Sequence, residues 1–457
     1  MNRTSIRLLP QCGLPSSPSV TRRGLGMSQS HRLALSLVSS LLAGPAFAAE
    51  VSVSGFGTAG YTQSDQSFGY QRFIDDSGTF TRDSLFGVQA DAKLFHKFGA
   101  TLQLKAAASN SSDHELGVTV EWAFVSYRPT NSWLLRAGKL RVPIYMNSEN
   151  LDVGVTFDFA RLPPEVYSLS TNLNFTGLSF AKNWSVRTSE LTLDGYWGRA
   201  KVDFRFWLRD DIPPVQGAGA RFERFDVEAL GLGLTLRPGE STYRAHVSRA
   251  TAKLPSGTFP STFPFVTLFP GVGYYQTSPQ LPGPGIPQTD RVRNTIVILG
   301  ADVSLPAGIH VVGEYVRRIV QKSEIGPDSS GGYLSLFKRF GRFRPYVTYA
   351  LLRSQPEERQ LYRAVNDNTV PSFVPGAAQI NLAQRAGADG IVAYDQSSWA
   401  LGTSYSPSPR SKIKSKIKAE FQRVHIGEAS SFVDGPPGGN VRDRNINIFS
   451  LSYNFVF

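Results

Sequence analysis

The sequence predicts an all-β protein, a transmembrane antiparallel β-barrel, with sixteen strands as the preferred count. Three observations carry this reading. Apolar residues recur at every second position over segments of about ten residues. The connections between segments alternate between short and long. No apolar run reaches the roughly 20 residues of a membrane helix. The composition agrees: 12% aromatics, 42 Gly and only 18% charged residues in 457 suit a chain of strands and turns.

The period is plainest in four places. From Phe86 to Leu94, the set Phe86, Val88, Ala90, Ala92, Leu94 shares one face, and Gly87, Gln89, Asp91, Lys93 the other. Leu102, Leu104 and Ala106 alternate with Thr101, Gln103 and Lys105, and the leucines 230, 232, 234 and 236 alternate with Gly231, Gly233 and Thr235. Val297 to Leu305 repeats the pattern. A soluble sandwich alternates in the same way, so the connections decide. Seven short ones centre on Phe98-Gly99, Pro129-Thr130-Asn131, Ser185 to Thr188, Pro238-Gly239, Pro306-Ala307-Gly308, Phe340-Gly341 and Ser406 to Ser411. Eight longer ones fall at about 63–83, 109–117, 141–173, 200–224, 253–292, 321–330, 355–396 and 428–444. Short turns on one side and long loops on the other are the habit of outer-membrane barrels. Seven hairpins, a first strand from Glu50 to Tyr61 and a last from Asn445 to Phe457 make sixteen. An extra strand at Val202 to Leu208 would raise the count to eighteen.

The N-terminal region reads separately. Residues 27–48 carry Arg32, an apolar run from Leu33 to Ala43 and the triplet Ala46-Phe47-Ala48, the parts of a secretory signal peptide cleaved after Ala48. Residues 1–26 read as an upstream extension before a start at Met27. Removing 1–48 takes away five arginines, no acids and the single cysteine, Cys12, which lowers the formal charge from +12 to +7. Residues 49–457 then form one domain without thiols, which excludes disulfide, thiolate-metal and cysteine-nucleophile chemistry.

At the other end, Phe449, Leu451, Tyr453, Phe455 and Phe457 share one face, and Ser450, Ser452 and Asn454 the other. This ending resembles the terminal-phenylalanine signal by which the barrel-insertion machinery recognises its clients. With the signal peptide, the strand count and the loop pattern, residues 49–457 as a whole resemble a Gram-negative outer-membrane porin. That resemblance implies passive diffusion of small hydrophilic solutes, a homotrimer in outer-membrane lipid and lipopolysaccharide, and a third loop folded inward as a constriction.

The third long connection has a Leu140-Arg141-Val142-Pro143 start and a Pro163-Pro164-Glu165-Val166-Tyr167 end similar to such inward loops. By that analogy Glu149, Asp152, Asp158 and Glu165, with Arg141 and Arg161, line the eyelet; the alternative is a solvated loop on the rim. The facing basic wall is expected from Lys416 and Lys418, within a Lys412-Lys414-Lys416-Lys418 face, with Lys93, Lys105, Arg244 and His246 inward by parity. Lysine on the lipid face costs roughly 2–4 kcal/mol at the midplane, so these lysines point inward or lie at the periplasmic rim. Inward acids (Asp91, Glu121, Asp194, Asp302, Glu314) reduce the selectivity to a weak lean to anions. The expected mechanism is size sieving combined with a transverse field between loop carboxylates and basic wall.

Other chemistries find little footing. Gly55-Phe56-Gly57-Thr58-Ala59-Gly60 matches G-x-G-x-x-G but lies inside the first strand, without the strand-turn-helix context of a dinucleotide site; its glycines are read as permitting twist. Histidines 96, 114, 246, 310 and 425 are scattered, and no G-x-S-x-G elbow occurs. No cofactor, metal, enzymatic activity or nucleic-acid partner is therefore expected. Trp122, Trp133, Trp184, Trp197, Trp399 and Tyr405 are read as interfacial girdles. The alternatives are a phosphate- or sugar-selective channel, an adhesion or receptor barrel using the loops at 253–292 and 355–396, and an outer-membrane lipid hydrolase.

Overall fold

A computed structural model describes residues 50–169, 174–212, 217–407 and 413–457. The signal segment with Ala46 and Ala48, the loop end at Thr171, and Lys412 lie outside the described residues. The strands are β1 (Glu50–Ser64), β2 (Leu85–Phe95), β3 (Phe98–Ala108), β4 (Leu116–Tyr127), β5 (Trp133–Arg141), β6 (Asn174–Val186), β7 (Ser189–Leu208) and β8 (Gly219–Pro238). They continue with β9 (Thr242–Lys253), β10 (Arg291–Leu305), β11 (Ile309–Gln321), β12 (Ser329–Lys338), β13 (Phe343–Ser354), β14 (Tyr394–Tyr405), β15 (Lys414–Ser430) and β16 (Arg444–Val456). Each pairs antiparallel with its chain neighbours. β1 pairs with β16 from Phe56↔Val456 to Ser64↔Ile448, so these sixteen strands close without an edge.

Parity sorts the side chains as the alternation requires. Leu230, Leu232, Leu234 and Leu236 on β8, Leu334 and Leu336 on β12, and Phe449, Leu451 and Tyr453 on β16 point outward and are 38–61% exposed. Moving such a side chain from water into an apolar phase gains about 1.5–3 kcal/mol. A closed barrel with this belt therefore presents its outer wall to lipid.

Val202 to Leu208 is not an extra strand but the upper half of β7, which pairs with β8 as far as Leu208↔Gly219. A tilted membrane strand needs about 9–11 residues, so roughly half of each 20-residue strand projects beyond the membrane. The loop expected at 200–224 shrinks to 209–218.

Trp133, Trp184, Trp197 and Trp399 are exposed on the outer wall, but Trp122 is not among them. A register shift between Gln103 and Leu104 leaves Glu121 as an extra residue on β4. The bulge reverses parity, so that Trp122 lies opposite the inward Gln103 and packs against Phe124 at 6.1 Å.

The seam shows why β1 is rich in glycine. A Cβ on Gly55 would lie 2.3 Å from the Phe457 ring, and one on Gly57 would lie 2.6 Å from the Phe455 ring. The glycines make room for the two terminal rings, which stack on each other at 6.3 Å; twist is not needed to explain them. Phe457 completes the seam, exchanging N–H···O bonds of 3.0 Å with Gly55 in both directions. Gly55→Val should displace the Phe457 ring and cost about 1–3 kcal/mol by overpacking. A lower fraction of heat-modifiable, folded barrel after refolding is the expected reading on a gel.

Candidate functional site

The third loop leaves β5 at Val142 and runs inside the barrel, with a single turn α1 (Pro164–Tyr167) before the chain joins β6. Its apolar residues pack on inward side chains of β10 to β13. Tyr145, Phe159, Val166, Tyr167 and Leu169 join Ile296, Ile298, Val312, Val316, Tyr333, Phe337, Tyr346 and Leu352 in one buried cluster. Phe159 stands at 4.9–5.7 Å from the rings of Phe337, Tyr346 and Tyr333, edge contacts worth about 0.5–1.5 kcal/mol each.

Polar wall groups satisfy the loop's backbone. Glu314 accepts from the Met146 N–H at 2.9 Å, from Tyr333 Oη at 2.9 Å and from the Tyr167 hydroxyl. Tyr346 Oη accepts from the Ala160 N–H at 2.8 Å, and Arg318 donates to the Leu169 carbonyl at 3.0 Å. At Gly331 on β12 the loop comes so close that a Cβ would lie 2.2 Å from the Glu165 carbonyl oxygen. Only a residue without a side chain fits there.

The acids of the loop do not face a basic wall across open water; wall groups hold them directly. Asp158 pairs with Lys416 and Arg344, both at 2.6 Å, and accepts from Ser404 at 2.7 Å. Burial pushes its carboxyl up, but Lys416 and the other partners outweigh that and hold it down to about 2. Asp152 pairs with Arg141 at 2.6 Å and Lys105 at 3.1 Å, and Glu121 closes the square at 2.8 and 3.0 Å. Glu149 pairs with Arg136 at 3.0 Å. Glu165 is fully buried and accepts from Ser398 at 2.8 Å and Gln396 at 3.1 Å; burial outweighs these bonds and pushes its carboxyl above the usual range. The expected transverse field is thus replaced by closed pairs.

The expected basic wall divides in the same way. Lys418, 1% exposed, donates to the Phe159 carbonyl at 2.8 Å and lies 3.9 Å from the Phe157 ring centroid, so it anchors the loop. Arg244 pairs with Asp194 at 2.8 Å and donates to the carbonyl of Pro143. His246 is buried with its ring parallel to Tyr196 at 5.9 Å, and neither nitrogen has a partner among the described residues; it adds no basic face. Lys93 lies at the short-turn rim, paired with Glu50 at 2.7 Å, away from the lumen. Of the expected residues, Lys105, Arg141, Asp152 and Arg161 line open space.

That space is a cavity of about 1470 Å³ bordered by the third loop, by inward residues of β1, β3, β4 and β16, by the upper parts of β7 to β10, and by the fifth and seventh loops. Gln71, Arg72 and Arg82 from the first loop also line it, and the sequence reading passed over them. Their signal was a long first loop whose two arginines fit no strand face.

Above the cavity the long loops form a cover. The seventh contains α2 (Pro356–Asp367) and α3 (Ala377–Asp389). It packs on the fifth through Phe263, Val365, Ala388 and Ile391, and through Tyr274, Val370, Ala377 and Ile380. The β7–β8 hairpin leans to the opposite side of the ring. Trp207 donates to the Gly435 carbonyl at 2.9 Å, and Arg205 bridges Asp113 at 2.8 Å and Asp434 at 2.7 Å. Arg209 gathers three loops, with Asp389 at 2.6 Å, Asn366 at 2.7 Å and the Gly439 carbonyl at 3.0 Å. Burial pushes the Asp389 carboxyl up to about 6 in spite of Arg209.

No protein-family model and no curated relative matches the sequence. Among solved structures, the chain is similar to the anion-selective porin from Comamonas acidovorans, with 11% identity, a TM-score of 0.46, and coverage of 90% of this chain and 100% of that one. It is similar to OprB of Pseudomonas putida at 8% identity and a TM-score of 0.47, covering 90% and 94%. It is also similar to the outer-membrane channel DcaP of Acinetobacter baumannii at 12% and 0.44, covering 89% and 97%. Strand count and closure make this chain a sixteen-stranded antiparallel barrel, and its third loop lies inside it.

Gly331→Val tests the seating of the loop. The added methyls have no room beside the Glu165 carbonyl, so α1 should move off β12 at about 1–3 kcal/mol of overpacking cost. Single-channel conductance should change, while the heat-modifiability of the barrel is kept.

Proposed function

We propose that this protein is an outer-membrane porin that passes small hydrophilic solutes by passive diffusion. The observation that carries the reading is the third loop seated on one wall of the lumen, with a cavity of about 1470 Å³ beside it. A barrel of this strand number holds an aqueous channel, and what narrows and charges it sets selectivity. Here sieving falls to Asp152, Leu162 and Arg161 on the third loop, Thr58 and Lys105 on the wall, and Arg82 on the first loop, all bordering the cavity.

The charge balance at the passage supports a weak lean to anions. Lys105 and Arg141 are matched by Glu121 and Asp152, whereas Arg82 has no ion-pair partner among the described residues. The proposed setting is the outer membrane, reached with a signal peptide cleaved after Ala48, and the proposed assembly is a homotrimer. The reading is non-enzymatic. A lipid hydrolase would set a serine hydroxyl on an imidazole, but His246 lies against Tyr196, and His310 and His425 lie beside Asp302 and Asn445. The fifth and seventh loops serve as a cover over the mouth.

Refolded protein in a planar bilayer under a KCl gradient should give discrete conductance steps and a reversal potential favouring Cl⁻ slightly over K⁺. Absence of steps from folded barrel would end the diffusion reading. A strong cation preference would remove the anion lean and leave the pore.

A further inference from the structure

We infer that the lumen contains a binding site for a small organic carboxylate, formed between the first and third loops by Gln71, Arg82 and Arg161. The inference rests on the solvent-filled channel proposed above and names the solute class that the channel holds.

Three buried donor nitrogens, Gln71 Nε2, Arg82 Nε and Arg161 Nη1, meet no hydrogen-bond acceptor among the described residues. They belong to one cluster. Arg161 donates to Gln71 Oε1 at 2.5 Å and meets Asp83 at 3.3 Å, and Arg82 follows as Asp83's neighbour in the chain. Gln71 is 6% exposed and the Arg161 side chain 8%, yet all three residues line the lumen cavity. A buried donor without an acceptor loses its hydration for nothing, and three beside one cavity set up a place for acceptor atoms.

The backbone is strained to make this arrangement. Gln71 and Arg72 sit at φ 49° and 81°, left-handed values that are uncommon without glycine and that cluster at ligand clamps.

Charge selects the ligand. Arg161 is matched by Asp83, and Arg72 by Asp113 at 2.7 Å. Glu165, on the same loop, accepts from Ser398 and Gln396 through Oε1 alone, its Oε2 having no donor among the described residues, and Glu420 accepts from Tyr346. Arg82 makes no hydrogen bond or ion pair among the described residues, but it shares the neighbouring Asp83 carboxylate with Arg161, so two guanidiniums face one carboxylate and one positive charge is left over. A guanidinium edge suits the two oxygens of a carboxylate, and a single uncompensated charge suits a monoanion better than a divalent phosphate. Phe73, Phe157 and Leu162 border the same cavity, so an organic body finds apolar surface that a bare halide would leave unused.

The test uses refolded protein in detergent for calorimetric titration and the same preparation in a bilayer for current block. Benzoate is the probe, with benzamide, acetate and phosphate beside it. Benzoate should bind and block, benzamide should do neither, and acetate should bind more weakly. Arg82→Gln should weaken benzoate about tenfold or more, the scale of one lost charged contact. Gln71→Leu should weaken it too, and it carries the test if Arg82→Gln does not fold. Arg199→Gln, on the outer wall at 73% side-chain exposure, should change nothing. Equal binding of benzamide, phosphate binding tighter than benzoate, or unchanged benzoate affinity in both cluster variants would overturn the inference. Conductance without benzoate binding sinks this site alone, whereas folded barrel without conductance sinks the diffusion reading.

Discussion

A loop that enters a barrel takes its own N–H and C=O groups with it, and the wall must satisfy them or the loop stays outside. The rest of this structure follows from how that demand is met. Glu314, Tyr346, Arg318, Arg244 and Lys418 are polar residues on the inner wall, and each bonds to a backbone group of the third loop. Apolar packing reinforces them, because the rings around Phe159 exclude the water that would compete for those bonds. With the loop fixed to β10–β13, the free half of the lumen is fixed as well.

The barrel was legible because its physics is local. A period of two sets the faces, turn chemistry sets the short end, and the aromatic run at Phe449 to Phe457 marks the last strand. Local patterning failed where one residue altered the geometry. The extra Glu121 on β4 reversed the faces beyond it and moved Trp122 inward. Around Ile296 to Leu299 both faces are apolar, which in hindsight states that the inner face is covered too. The helices α2 and α3 went unread inside a loop, although Pro356 followed by Glu357 and Glu358 is a helix start by composition.

The site was harder to read than the fold. Which carboxylates and cations belong to the third loop and the inward faces is visible in sequence; which of them meet is not. Asp158 and Lys416 are 258 residues apart in the chain and lie at 2.6 Å, so each holds the other instead of facing open space. Arg82 and Gln71 come from a loop without period or motif, and only the closed ring brings them to Arg161. The cover above them, tied by Arg205 and Arg209, likewise depends on contacts between opposite sides of the barrel.

The seating of the third loop is best tested by fixing it where it lies. Met146 Cγ, where a cysteine sulfur would sit, is 2.9 Å from the position of a Cβ on Gly300 of β10. Residues 49–457 have no native thiol to interfere. In the double variant Met146→Cys, Gly300→Cys, a disulfide should form on refolding with oxidised glutathione, which is reduced as the two thiols are oxidised, and single-channel conductance should be the same before and after reduction. Failure of the bridge to form in folded barrel, or a conductance that rises sharply when it is reduced, would contradict a loop held on that wall.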